Sequence, residues 1–160
     1  MPECVSLNGD QWDVERVVEE LDERLLHVGK RLGGELLGAT LFEEGPGYRG
    51  PYHLHYGNEE LVLVVDGALT VRWAAEEQTL GPGELVLFRR GPDGLHALEN
   101  RTDEPVRFVV FSSMVDPDVT EQPERGMVGV FAGGVPTTGL DAELEAFFPR
   151  DSAKGYREGL

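Results

Sequence analysis

Four histidines occur in the 160-residue chain, and three of them fall in a pattern that could do chemistry. His53 and His55 are two apart. On a β-strand alternate side chains share a face, roughly 6.8 Å apart along the chain. Two imidazoles so placed can converge on one ion at bond lengths near ~2.1 Å. Glu60 follows after a short turn and opens the next strand, where it could supply a carboxylate. His96 stands alone in a later strand and would complete the set. Three histidines and one glutamate suit one borderline divalent metal: iron, manganese, nickel, zinc, cobalt or copper. Taken singly, each has a plainer reading. A His-x-His pair is often a polar strand edge, and a lone histidine is more often a hydrogen-bonded structural residue than a ligand.

The elements that must position these residues read as short strands. Leu36–Phe42 is a first core strand, ended by Gly45-Pro46-Gly47. Beyond the histidines come Leu61–Val65 and Ala68–Trp73, with Asp66-Gly67 between them, a strong hairpin signal. Gly81-Pro82-Gly83 suits a type II turn, with Pro second and Gly third. Leu85–Phe88, Leu95–Glu99, Val106–Ser112 and Met127–Phe131 follow as strands. Many short strands with turn punctuation imply an antiparallel sandwich or barrel. At the ends the pattern changes. Asp13–Arg24 carries apolar residues at helical spacing and predicts a short helix, or else an extended arm, because Val14, Val17 and Val18 are β-branched. Leu140–Phe148 predicts a C-terminal helix stopped by Pro149.

Spacing between neighbours sharpens the metal reading. Gly47, five residues, His53-Leu54-His55, four residues, Glu60, six residues, Gly67 resembles the first motif of the cupin family. Pro92-Asp93-Gly94-Leu95-His96, three residues, Asn100 resembles its second. Two departures lie in the loop before His96: one residue instead of two separates Gly94 from His96, and Gly83 stands further from Pro92 than is usual. The likeness covers residues 34–131 and is greatest to small bacterial stand-alone cupins. It implies an all-β cupin barrel (a double-stranded β-helix, or jelly roll). Residues 1–33 would form a short N-terminal helix or arm, and residues 132–160 a C-terminal helical tail. It also implies His53, His55, Glu60 and His96 as metal ligands, with one or two coordination positions open. Glu59 competes with Glu60, but adjacent strand residues face opposite ways, and the spacing to Gly67 favours Glu60.

Other residues carry weaker signals. Asn100 suits turn duty better than ligand orientation. Tyr52, Tyr56, Trp73, Phe88 and Arg90 are candidate pocket residues for which core or surface packing is the better expectation. His27 reads as an ordinary histidine and Cys4 as a residue without a role. With one cysteine there is neither an intrachain disulfide nor a thiolate cage. Neither a Ser-His-Asp or Cys-His arrangement nor a phosphate-binding glycine loop is apparent.

Composition bounds the partners. A net charge of −16 argues against nucleic acid and against anionic membrane surfaces. No apolar run approaches the ~20 residues needed to span a bilayer, and the N-terminus lacks the pattern of a signal peptide. A cytoplasmic homodimer with a small-molecule ligand is expected. The resemblance leaves the reaction open among dioxygenase, decarboxylase and isomerase. The leading expectation is a metal-dependent enzyme acting on a small oxygen-rich molecule, a carboxylate or sugar. The alternative is a non-catalytic binding or sensing cupin.

Overall fold

The computed structural model describes residues 3–18, 21–74, 76–135 and 138–158. Among these described residues thirteen strands dominate. In chain order they are β1 (Val14–Val18), β2 (Leu21–Leu26), β3 (Gly38–Glu44), β4 (Leu54–His55), β5 (Glu60–Asp66), β6 (Leu69–Trp73) and β7 (Glu76–Leu80). Then come β8 (Leu85–Phe88), β9 (His96–Glu99), β10 (Val106–Ser112), β11 (Asp118–Gln122), β12 (Met127–Ala132) and β13 (Leu144–Pro149). The α-helix α1, Val28–Arg31, spans a single turn. Every strand pairing among the described residues is antiparallel. One sheet has the order β1-β2-β3-β10-β5-β8, a second β13-β12-β11-β4 and a third β7-β6-β9. The fold is an all-β cupin barrel. Among the described residues no helix is long and apolar enough to cross a membrane.

Alternation along β5 explains the interior. Val62 and Val64 are fully buried, and Glu60 shares their face by parity. Around them pack Leu69, Val71, Leu80, Phe88, Leu98, Val106 and Phe108, the main core. Burying each such side chain contributes roughly 1.5–3 kcal/mol. A second cluster, with Leu26, Val28, Ala39, Leu41 and Val109, lies where the N-terminal segment packs through Val5, Leu7 and Trp12.

Three sequence expectations need correction. Of the two readings of Asp13–Arg24, the helical one fails and the extended one holds for the described residues, because β1 and β2 form an antiparallel ribbon whose second strand extends the large sheet against β3; residues 19–20 lie outside the described residues. The β-branched valines suit this extended alternative. Leu140–Phe148 is not a helix either, and the only regular helix described in the C-terminal tail is a short 3-10 turn at Arg150–Ser152. The second half of Leu140–Phe148 belongs to β13, paired along its whole length with β12. In both segments sheet hydrogen bonding prevails over weak helical periodicity. Finally, Asp66-Gly67 does not close a hairpin. β5 pairs with β10 and β8, whereas β6 pairs with β7 and β9. The chain turns there from one sheet into another. Gly67 has φ +78°, and a Cβ would lie 2.7 Å from the Pro105 carbonyl oxygen, so the corner requires glycine. By contrast, Gly81-Pro82-Gly83 forms its expected turn. Glu84 N–H donates to Gly81 O at 3.1 Å, and Gly83 has φ +85°.

Candidate metal centre

His53 and His96 lie opposite each other in an isolated antiparallel bridge between the second and third sheets. Their backbones exchange two hydrogen bonds, His53 N–H to His96 O at 2.8 Å and His96 N–H to His53 O at 2.9 Å. That pairing sets the two rings side by side, with centroids 4.7 Å apart. His55 follows across the buried Leu54 and pairs with Thr120 of β11. Glu60 enters from β5, in the first sheet.

The four side chains converge on one oxygen. Glu60 Oε2 lies 3.7 Å from His53 Nε2, 3.5 Å from His55 Nε2 and 3.5 Å from His96 Nε2. Ligand atoms of His53, Glu60 and His96 all fall within 4.8 Å of one another, a group that can hold a metal ion. His55 lies outside that tightest triplet but faces the same oxygen.

The outer nitrogens decide the tautomers. His53 Nδ1 donates to Pro51 O at 2.9 Å, and His96 Nδ1 donates to Gly94 O at 2.8 Å. A carbonyl oxygen only accepts, so each Nδ1 carries a proton, and in the neutral ring the Nε2 lone pair faces Glu60. His55 Nδ1 donates to the Asp118 carboxylate at 2.5 Å. Carbonyl and carboxylate partners of this kind are what orient metal-bound histidines. The donor set therefore fits a borderline divalent ion.

Electrostatics agree with this arrangement. Burial alone would raise the Glu60 carboxyl, but its interactions with His53, His55 and His96 outweigh it and hold the group at about 2. Burial, aided by the charge of His53, pushes His96 down to about 4, so its ring is neutral at pH 7. Burial also pulls His55 down, yet Asp118 and Glu60 together raise it above its ordinary value. For Asp118, burial pushes upward, and hydrogen bonds from His55, Asn58 and Gly57 N–H bring it below the usual carboxylate range.

Asp118 escaped the sequence reading. It lies outside both motifs and 63 residues from His55 in sequence, and only the pairing of β11 with β4 brings it there. Glu59 is exposed, as strand parity requires. Asn100 serves the turn. Its Nδ2 donates to Glu44 O and Glu104 O, and its Oδ1 accepts from Thr102 N–H and Oγ1. Phe88 is core, stacked on the His96 ring with centroids 3.6 Å apart. Tyr52 lies under the Arg72 guanidinium, exposed Tyr56 donates to Glu121, and Trp73 packs on the main core. His27 is buried and Cys4 exposed. The four convergent residues border a cavity of about 400 Å³, within the range of small-molecule sites.

A barrel of this topology with three histidines and a glutamate on its inner face defines a class. Residues 40–112 match the family model for the cupin domain, so this middle part of the chain is a cupin domain. Among solved structures it is similar to a cupin-superfamily sugar phosphate isomerase from Silicibacter pomeroyi. The two are 25% identical, with 84% of this chain and 81% of that chain covered and a TM-score of 0.72. A structure from Acidithiobacillus ferrooxidans, provisionally assigned as a sugar phosphate isomerase, shares 22% identity over 86% of this chain and 82% of its own, with a TM-score of 0.72. The polyketide cyclase RemF from Streptomyces resistomycificus shares 23% over 70% of this chain and 79% of its own, with a TM-score of 0.54. These last two likenesses are of fold. No curated protein sequence matches the chain significantly.

Proposed function

We propose that the protein binds one divalent metal ion through His53, His55, Glu60 and His96 and is a metal-dependent enzyme acting on a small oxygen-rich molecule. The observation that carries this reading is the committed state of the three histidines. Each Nδ1 is bonded to an acceptor on the outer side, and each Nε2 lies 3.5–3.7 Å from one carboxylate oxygen. A bound ion would supply Lewis-acid polarisation of a substrate oxygen in an open coordination position. The protein's part is to hold the rings in one tautomer, keep Glu60 ionised and shield the site with the apolar cavity wall. The reaction class falls among isomerisation, decarboxylation and dioxygenation. The 25% identity to a sugar phosphate isomerase favours the first.

Metal analysis of untagged protein tests the centre. One ion per chain is expected, and His55→Ala should remove most of it. Unchanged stoichiometry in that variant would refute the assignment. A second reading, a binding or sensing cupin without turnover, has its own support. Glu59, the neighbouring carboxylate and nearest candidate base, is exposed. Asp118 and Asp116 are already engaged, by His55 and by Gly133 N–H. Screening Fe(II)-, Mn(II)-, Ni(II)- and Zn(II)-loaded protein for turnover separates the two readings.

The proposal includes a cytoplasmic homodimer. Exposed Leu85 and Leu87 on β8, at an edge of the large sheet, support the dimer, since edge strands need cover. Exposed Val17 on β1 adds to this at the opposite edge, whereas Phe131 of β12 is buried within the chain. A monomer mass by light scattering at micromolar concentration would overturn the dimer.

A further inference from the structure

The cavity beside the four convergent residues has an unusual charge for a site in this fold whose relative acts on a sugar phosphate. Besides Glu60, its lining carries the carboxylates of Glu23, Asp116, Asp118 and Glu145. Among the described lining residues there is no lysine and no arginine. Arg49 and Arg90 are exposed and lie outside the lining. The rest of the wall is largely apolar, with Phe42, Phe108, Val110, Phe131 and Phe147.

Counting charge with a divalent ion in place does not reverse the sign. The ion and Glu60 together leave one positive charge. Arg16 pairs with Glu23 and offsets it. Asp116, Asp118 and Glu145 then leave the lining negative. A phosphate monoester carries ≈ −1.5 to −2 near pH 7. Phosphate sites answer that charge with arginine, lysine or helix N-termini, and a wall lined by carboxylates repels it.

The geometry points to an uncharged substrate, one with two adjacent oxygen donors on an apolar body, in place of a phosphorylated sugar or a simple carboxylate. The oxygens would take the open positions of the ion and the body would lie on the phenylalanine wall. This inference rests on the proposed metal centre and names the substrate class for it.

The test is isothermal titration of the full chain loaded with Zn(II), with zinc content measured on the same sample. The probes are 4-methylcatechol, uncharged with adjacent oxygens, and fructose 6-phosphate. Binding of 4-methylcatechol should be saturable and at least about tenfold tighter, a gap that narrows as salt is raised. Glu145→Lys, at an exposed position on β13, should tighten fructose 6-phosphate by about 2–5-fold, the size of one accessible charge pair, without a matching gain for 4-methylcatechol. Equal or tighter binding of fructose 6-phosphate by the unaltered protein would overturn the inference. So would zinc held at one per chain with neither probe bound, which would leave the metal reading standing. If zinc is not retained, the metal reading fails. The same two titrations on zinc-free protein then decide the inference by which probe enters.

Discussion

Two glutamates face the inside of the same barrel and meet opposite fates. Glu60, at the start of β5, has a side chain only 14% exposed, yet three imidazoles surround it and hold its carboxyl at about 2. Glu44, at the end of β3, is 1% exposed, and neither carboxyl oxygen has a hydrogen-bond partner among the described residues. Burial first, then the charge of Glu23, pushes it up to about 9, with Arg16 opposing only in part. Its neighbour Glu43 faces the other way and is bonded to Arg24 and Arg107. Burial pushes an acid up in either place. What decides the protonation state is whether the interior supplies partners. One end of the barrel is built to keep a charge, and the other keeps a neutral acid.

Substitutions can break or sharpen that contrast. The largest effect is expected at Glu60. Glu60→Ala removes the oxygen on which three rings converge, so metal affinity should fall by more than the ~100-fold that bounds the loss of an outer partner. Metal analysis after dialysis reads this directly, and retention of one ion per chain would separate Glu60 from the centre. Next is Asp118→Asn, which weakens the acceptor behind His55 while keeping its shape. A loss of about 10–100-fold in metal affinity is expected, measured by competition with a chelator dye. An unchanged affinity would mean that Asp118 acts only on the fold.

Glu44→Gln probes the other end. In the folded protein the Glu44 carboxyl titrates at about 9 against an ordinary 4.5. The folded state therefore holds a proton that the unfolded chain releases. The stability this gives is complete below 4.5 and is lost as pH rises through about 9. A glutamine carries no such dependence. Thermal melts should show the two proteins close together at pH 5 and the variant ahead at pH 8, by on the order of 1–3 kcal/mol. Parallel pH profiles would place partners around Glu44 and end the contrast. The smallest effect belongs to Glu59→Gln. Exposed and turned away from the centre, it should change metal affinity by less than about twofold. A larger loss would mean that β5 is registered the other way.

Much of the site was legible because it follows strand parity. His53 and His55 share a face across Leu54, Glu60 shares one with Val62 and Val64, and His96 shares one with Leu98, so the convergence needed only period-two reasoning and the motif spacings. The helical reading of the chain ends failed for a related reason. Asp13–Arg24 and Leu140–Phe148 have apolar residues at intervals that a helix and an exposed strand can both accommodate, and local pattern cannot weigh the hydrogen bonds offered by β3 and β12. Asp66-Gly67 shows the same limit. Glycine was needed at the corner, but which sheet the next strand joined was not encoded in the dipeptide.

The sequence by itself determined a β-rich barrel, its inward-facing residues and the three histidines with their glutamate. Residue type and alternation act over a few positions, and that is the range on which those features depend. Tertiary structure alone decided that Asp118 lies behind His55, that Glu44 finds no hydrogen-bond partner among the described residues while Glu43 has two, and that the cavity is walled by carboxylates and phenylalanines. Each of these depends on strands far apart in the chain meeting in a particular register, and register is set by packing over the whole molecule.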